Sequence, residues 1–453
     1  MEKLKRWQIF KPRGRDEISL AVPSIIISAP TSGAGKTTIT LGILRALADK
    51  GLKVSAAKVG PDYIDSKFHE KASGGRCVNL DSWAMNKSQL HYLANEAAEN
   101  SDLFLIEGVM GLFDGALQSG ESGNGSTASV AIELGIPVIL VIDASAQAQS
   151  VAALAHGFRD LDKRLDFAGV ILNRVRSQRH GKLMESALSN SGIKVFGMIP
   201  SNNDLSLPSR HLGLVQADEL KALEQFIQEA SRSISINVDL DAIKEASKSN
   251  ISSPAPANFL KPLGRHIAVA RDIAFNFTYN HILEGWTNSG VKISYFSPLN
   301  NEGPDVSADA VYLPGGYPEL HAEKISKNTT FFNGLRKASE AGKWVYGECG
   351  GFMVLGKTLT DASGTRFPMS GLLDLQTSFE NPKLSLGYRQ GKLTTDCPFG
   401  IKGQVFRSHE FHYACITSAG GDSLFSVQDS SEELKGSAGL VKGSVFGSFL
   451  HII

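Results

Sequence analysis

Short apolar runs of strand length punctuate the first half of the chain, at 24–29, 53–59, 102–106, 137–142, 167–172 and 194–199. Between them lie stretches with helical period, such as 37–50 and 87–100. Strands apolar on both faces, alternating with helices, predict a parallel sheet covered on both sides. The period degrades over 233–262, where Ser247, Ser249, Ser252, Ser253, Pro254, Pro256 and Pro262 gather. Such a composition predicts a linker. A second alternation then begins, at 266–270, 292–296, 310–313 and 344–347, followed by several β-like runs ending in 443–450. The expected organisation is α/β throughout: one domain over 22–235, a linker over 236–263, and a second domain over 264–453. No fixed-period repeat is visible.

Composition narrows the function. A chain of 453 residues, 42% hydrophobic and 20% charged, builds sizeable cores. Lys+Arg and Asp+Glu both number 46, so no global field favours nucleic acid or an anionic membrane. Neither is expected as a partner. Cys77, Cys349, Cys397 and Cys415 form no CxxC pair, which argues against a disulfide framework and a structural zinc site. No apolar run reaches the roughly 18 residues of a membrane span. Lys3, Lys5, Arg6, Lys11, Arg13 and Arg15 precede no apolar segment, so a secretory signal is not read there. Glu2, Asp16 and Glu17 speak against a transit peptide, and a cytoplasmic protein is expected.

Two motifs carry the chemistry. The first is Ala29-Pro-Thr-Ser-Gly-Ala-Gly-Lys-Thr-Thr38, between a predicted strand and a predicted helix. Loop amides and a helix N-terminus there attract phosphate oxygens. Ser32, Gly33, Gly35, Lys36, Thr37 and Thr38 are the expected ATP contacts, with Lys36 on the β/γ-phosphates and Thr37 on magnesium. Pro30 replaces the first glycine of the simple pattern, and Thr31 stands where partitioning ATPases carry a signature lysine. Glu107 and Asp114 follow another strand, where carboxylates sit near the ligand crevice. Glu107 either joins the metal or caps the next segment. Asn173 either meets a purine edge or ends its strand. Gly60-Pro-Asp-Tyr-Ile-Asp-Ser66, preceded by Lys58, is a candidate for holding metal and a carboxylate substrate.

The second motif is Tyr346-Gly-Glu-Cys-Gly-Gly-Phe352, a strand-to-helix turn with Cys349 at its tip. A helix N-terminus lowers a thiol pKa and helps form an oxyanion hole. The glycine turn Leu313-Pro-Gly-Gly-Tyr-Pro-Glu319 offers further amides. His451 is the expected base, with His409 and His412 as rivals; Ser408-His-Glu-Phe-His-Tyr413 is not HExxH.

Taken in order, these motifs resemble those of the cobyrinate (or hydrogenobyrinate) a,c-diamide synthase family of cobalamin biosynthesis, from about Ser24 to Ile453. The resemblance rests on Ser32-Gly-Ala-Gly-Lys-Thr-Thr38, Lys58-Val-Gly-Pro-Asp-Tyr-Ile-Asp65, Glu107-Gly-Val-Met-Gly-Leu-Phe-Asp114, Ala268-Val-Ala-Arg-Asp272, Gly315-Gly-Tyr-Pro-Glu-Leu-His321, Glu348-Cys-Gly-Gly351, His409-Glu-Phe-His-Tyr413 and Gly447-Ser-Phe-Leu-His451. It implies an N-terminal P-loop synthetase domain like dethiobiotin synthetase and a C-terminal class I, flavodoxin-like glutaminase. It implies Cys349 as nucleophile, His451 as its activator, and Gly316 and Gly350 as oxyanion amides. It implies ATP with Mg2+ held by Thr37, Glu107 and Asp62, and a corrinoid polycarboxylate handled by Lys58, Tyr63, Ile64, Asp65 and Asp114. L-Glutamine is the nitrogen donor. Arg174, Arg176, Arg179 and His180 are candidates for a cationic wall toward the substrate. In the wider glutaminase class a Glu stands two residues after the histidine, whereas this chain has Ile453. The orienting partner of His451 is then a backbone carbonyl or another carboxylate. Cobyric acid synthase, nickel-sirohydrochlorin a,c-diamide synthase and, from another class, a nucleotide-switched partitioning ATPase are the alternatives. A homodimer stays open.

Overall fold

The computed structural model describes residues 22–202, 205, 223–248, 251, 257 and 260–453. The N-terminal body runs β1 (Ser24–Ser28), α1 (Lys36–Asp49), β2 (Val54–Val59), α2 (Tyr63–Ser73), β3 (Cys77–Leu80), α3 (Lys87–Ala98) and β4 (Leu103–Glu107). It continues through α4 (Thr127–Leu134), β5 (Val138–Asp143), α5 (Val151–Asp160), β6 (Phe167–Val175), α6 (Gln178–Asn190), β7 (Val195–Pro200), α7 (Leu223–Asn237) and α8 (Leu240–Ala246). The seven strands form one parallel sheet in the order β3-β2-β4-β1-β5-β6-β7. Side chains alternate across a strand, so each strand feeds two cores. Ile26 of β1 packs with α3, α4, α5 and α6, while Ile25 and Ile27 pack with α1, α2, α7 and α8. The β-branched run Ile25-Ile26-Ile27 is what this doubly covered position selects.

Two differences from the expected organisation stand out. Strand β3 has only four residues with the polar Asn79 inside it, too short for a clear period. The expected linker also begins too early. Helix α8, capped by Asp239 accepting from Ala242 N, buries Leu240 and Ile243 in the N-terminal core. Lys248 then bridges back to Ser24. Of the serine- and proline-rich stretch, Ser249, Ser252, Ser253, Pro254 and Pro256 lie outside the described residues.

The C-terminal body opens with β8 (His266–Ala270), α9 (Asn280–Asn288), β9 (Lys292–Phe296), β10 (Ala310–Leu313), α10 (Ala322–Ser326), α11 (Thr329–Glu340), β11 (Trp344–Glu348) and α12 (Gly350–Leu355). Ten strands follow: β12 (Thr358–Thr360), β13 (Arg366–Pro368), β14 (Asp374–Ser378), β15 (Ser385–Leu393), β16 (Val405–His412), β17 (Cys415–Gly420), β18 (Phe425–Asp429), β19 (Leu434–Ala438), β20 (Leu440–Lys442) and β21 (Val445–Ser448). The chain closes in β22 (Leu450–Ile452). The central sheet is β20-β21-β11-β10-β8-β9, parallel except for β20. One face carries α10, α11 and α12; the other carries α9 and the antiparallel sheet β19-β18-β15-β16-β22. The single run expected at 443–450 therefore splits. Its first part pairs with β11, and β22 crosses to pair with β16.

The two bodies are in direct contact. Tyr388 stacks on Trp83 and donates to Asp81 Oδ2 at 2.8 Å. Arg407 lies over the Trp83 ring and donates to Glu121. Asn280 donates to Glu70, and Arg76 pairs with Glu284. Ile453 packs against apolar clusters of both bodies.

Candidate active sites

The first site is the turn between β1 and α1. Gly35 adopts φ 96°, a left-handed value natural to glycine. A Cβ there would fall 2.3 Å from Asn173 Nδ2. Asn173, on β6, donates to Ala34 O at 2.9 Å and accepts from Arg174 N at 3.0 Å. Both polar ends of Asn173 thus serve backbone, and it staples the phosphate loop. Gly35, Thr38, Asn173, Pro200 and Ile234 line a cleft beside the loop, and Ser32 is exposed in the turn.

Lys36 donates to Met110 O at 2.6 Å, which aims its ammonium across the loop toward the end of β4. Burial, then the neighbouring Lys58, lowers its pKa. Thr37 donates to Glu107 Oε1 at 2.6 Å. Glu107 is fully buried and takes two further charged partners: Lys58 at 2.8 Å and His69 at 2.6 Å. Lys58 also pairs with Asp65 at 2.7 Å. Burial opposes every charge in this cluster. Asp65 and Glu107 nonetheless hold the Lys58 ammonium above its usual range. Bonds to Cys77 and Glu107 raise His69 to about 10. Lys58 and His69 keep Glu107 below the usual carboxylate range. Asp65, pushed by burial and by Asp62, rises to about 6 because it shares its one ammonium with Glu107. Two carboxylates compete for Lys58, and the one with a second cation keeps its charge.

Asp62 caps α2, its Oδ1 accepting from Ile64 N and Asp65 N at 2.8 and 3.1 Å. Ile64 packs on the N-terminal core. Asp114 is exposed and braces its turn by accepting from Gly111 N at 2.8 Å. Of the cationic-wall candidates, Arg174 pairs with Asp143, His180 bonds Gln147 O, and Arg176 and Arg179 are exposed. His69 was invisible as a site residue, although its place four residues after Asp65 puts both on one helix face. Among the described residues no group of three or more His, Cys, Asp or Glu is arranged to hold a metal by itself. The Thr37 hydroxyl and Glu107 carboxylate are hard oxygens within hydrogen-bond reach of each other. They fit a magnesium ion bound jointly with nucleotide oxygens.

The second site is the turn between β11 and α12. Cys349 sits there at φ 48° and ψ −104°, a backbone state that costs a side-chain-bearing residue about 1–3 kcal/mol. The turn is closed by glycine on both motifs. Gly316 adopts φ 155°, and a Cβ on it would lie 2.2 Å from Ala274 O. A Cβ on Gly350 would lie 3.0 Å from Gly316 N, so the two backbones meet beside the thiol. At Gly315 a Cβ would strike His451 Cε1 at 2.8 Å and Cys349 Cβ at 3.4 Å. The absent side chain leaves the gap in which imidazole and thiol approach.

His451, on β22, is 1% exposed. Its Nδ1 lies 2.8 Å from Glu348 Oε1, and its ring borders the same Gly315 gap as Cys349, whose sulfur lies 4.0 Å from Phe411 O. Glu348 is the residue before Cys349. Register explains the meeting: Ser448 of β21 pairs with Glu348, and His451 follows three residues on. Tyr346 and Tyr312 also donate to Glu348, at 3.1 and 3.4 Å. The orienting group is thus a carboxylate from an unexpected place, and Ile453 at the usual position packs into apolar surroundings. Burial opposes charge on His451, but Cys349 and then Glu348 raise it to about 10. The rival histidines lie differently. His409 pairs in register with His451, and burial, His451 and Arg389 push its pKa well down. His412 bonds Glu410 and Ala414 O and stacks on Phe449.

Tyr63 is not where a substrate contact was expected. It is 8% exposed and belongs to the C-terminal apolar cluster, with its hydroxyl 3.0 Å from His451 Nδ1.

Residues 266–453 match the CobB/CobQ-like glutamine amidotransferase domain, and residues 25–215 match the CobQ/CobB/MinD/ParA nucleotide binding domain. The hydrogenobyrinate a,c-diamide synthase of Brucella anthropi is 49% identical over 432 residues, covering 94% of this chain and 98% of that protein. The proteins of the same name from a Sinorhizobium species and from Rhodobacter capsulatus are 48% and 47% identical, each covering 95% of this chain and 98% of the relative. Among the described residues no helix is long and apolar enough to cross a membrane.

Proposed function

The chain belongs to the hydrogenobyrinate a,c-diamide synthase family, and from that premise we propose how its two sites divide one reaction. The protein is a ligase of cobalamin biosynthesis that uses ATP and glutamine to amidate the a and c acetate carboxylates of its ring acid. The observation that carries the reading is the Cys349–His451 pair, braced by Glu348, on a chain that also holds a phosphate loop.

At the elbow, His451 Nε2 takes the Cys349 proton and the thiolate attacks the amide carbon of glutamine. Glu348 accepts from Nδ1–H and so fixes the tautomer and stabilises the imidazolium. The amides of Gly316 and Gly350 hold the oxyanion. The imidazolium returns its proton to the departing ammonia, and water hydrolyses the thioester.

At the phosphate loop, a ring carboxylate oxygen attacks the γ-phosphorus of ATP, ADP leaves, and an acyl phosphate forms. A carboxylate is a poor electrophile, and phosphorylation gives it a leaving group that ammonia then displaces. Lys36 exchanges the Met110 carbonyl for phosphate oxygens and offsets charge as the phosphoryl moves. Magnesium, when bound between Thr37, Glu107 and the nucleotide, supplies further charge compensation. Lys58, Asp65 and Asp114 border this end of the sheet and are assigned to the substrate carboxylate. Asp62 acts through the helix it caps.

The test is mass spectrometry of hydrogenobyrinic acid after incubation with the protein, Mg-ATP and glutamine. Two acid-to-amide exchanges are expected. Cys349→Ser should remove the glutamine-driven product and leave the ammonium-driven one. A ring acid left unchanged with both nitrogen sources would overturn the reading.

A further inference from the structure

Tyr63 is the first residue of α2 in the nucleotide-binding body, yet its ring lies inside the other body. It stacks on Phe277 at 5.3 Å between centroids, with the planes 8° apart, and on Tyr279 at 4.3 Å. Its oxygen lies 3.0 Å from His451 Nδ1, the nitrogen that also faces Glu348. Nδ1 carries one hydrogen, so the phenol oxygen accepts from it alongside the carboxylate. The stacked Tyr279 ring joins Tyr63 to a further contact. The Tyr279 hydroxyl donates onward to Pro61 O at 3.3 Å. The contacts His451–Tyr63, Tyr63–Tyr279 and Tyr279–Pro61 each join one body to the other, and the last ends next to the cap of α2.

The same helical turn belongs to the phosphate site. Asp62 caps it and Asp65 ties it to Lys58, which reaches Glu107 and through it Thr37. Tyr63 stands between these two carboxylates in sequence. These contacts link the phosphate site to the turn that carries Tyr63.

We propose that Tyr63 is a positioning residue for the glutaminase centre of the opposite domain. Its phenol oxygen helps hold His451 in the orientation that serves Cys349. Through the first turn of α2 it makes glutamine hydrolysis responsive to the ligand state of the phosphate site. The inference rests on the glutamine-hydrolysing role given to Cys349.

The experiment uses the full-length protein and Tyr63→Phe, which removes the oxygen and keeps the ring in its stack. Glutamine hydrolysis is measured alone, and again with Mg-ATP and hydrogenobyrinic acid. The expected result is a fall in kcat of about tenfold, with KM for glutamine within about twofold. Stimulation by the synthetase ligands, present in the wild type, should drop toward one. Tyr279→Phe keeps the ring stack, removes the bond to Pro61 O without touching His451, and should lower kcat by about two- to threefold in the same pattern. An unchanged kcat and stimulation in Tyr63→Phe, or no stimulation in the wild type, would overturn the proposal. So would a loss of amidation from both glutamine and ammonium with glutamine hydrolysis intact, which would make Tyr63 a substrate contact. A wild type that hydrolyses no glutamine would instead remove the parent reading, and the inference with it.

Discussion

Both sites are strand–turn–helix junctions at the carboxyl edge of a parallel sheet, and they are built on opposite principles. The phosphate loop is conformationally relaxed: its left-handed positions are glycines, and buried charge gathers beside it. Lys58, His69, Glu107 and Asp65 form an ion cluster in which each member is held by another. The elbow is the reverse. Cys349 occupies a strained backbone state, and the groups proposed to hold the oxyanion are neutral backbone amides. A site for a polyanion needs charges that can change partners. A site for a transient oxyanion needs donors already fixed in place. The comparison predicts that the elbow will fail through small displacements and the phosphate loop through loss of charge.

The sharpest test of that difference is Gly316→Ala. A methyl group at φ 155°, 2.2 Å from Ala274 O, forces the turn to move. Loss of one oxyanion donor costs about 10²–10³ in rate. Glutamine hydrolysis should fall by that factor while ammonium-driven amidation persists. Comparable residual hydrolysis to the wild type in a steady-state assay would show that the hole is not formed by this amide.

Glu348→Gln comes next, with kcat for glutamine hydrolysis expected to fall about 10²-fold. It keeps an acceptor near Nδ1 but removes the charge. The groups facing His451 are Cys349, Glu348, Tyr63 and His409. In the wild type the first two hold the imidazolium, so it persists until pH rises through about 10. Without the carboxylate the imidazolium is lost at lower pH. The alkaline limb of the pH–rate profile should move down, and an unmoved limb would assign it to another group.

These residues show what the sequence could and could not convey. The strands and the phosphate loop of the first half were legible because both announce themselves locally, by apolar period and by glycine spacing. The turn that carries Cys349 was legible for the same reason. Glu348 was read only as its neighbour, because its role depends on β21 lying beside β11 and on β22 crossing to a different sheet. That crossing hides within one apolar run. The surroundings of Tyr63 were hidden for a related reason: nothing local told of Phe277 and Tyr279 closing on it. Helix α8 escaped because its few buried residues, Leu240, Ala242 and Ile243, sit among serine and charge.

Lys58→Met examines the other side of the comparison. It leaves Glu107 with His69 alone and Asp65 with no cation. Breaking a buried ion cluster on one side costs about 3–5 kcal/mol. A lower midpoint in thermal or urea unfolding is expected, with loss of amidation from either nitrogen source. Glutamine hydrolysis without other ligands should keep most of its rate, because the elbow takes no charge from this cluster. A proportional loss of both activities would mean that the two sites share more than the turn of α2.

The smallest effect concerns the seam between the bodies. Asp81 is fully buried and accepts from Tyr388, Trp83 N and Ala84 N. Burial outweighs these bonds and raises its carboxyl to about 6. A folded value above the unfolded one means that the folded state binds the extra proton. The stabilisation is complete below the unfolded value near 3.9 and is lost as pH rises through about 6. Asp81→Asn keeps the acceptor for the two backbone amides and cannot ionise. Plotted against pH, the unfolding free energies of wild type and variant should diverge between about pH 4 and 6, by on the order of 2 kcal/mol, with the wild type falling. The altered bond to Tyr388 adds only a constant offset, so the slope isolates the carboxyl. Parallel curves would mean that water reaches Asp81 and that the seam between the bodies opens more readily than its stacked Trp83–Tyr388 pair implies.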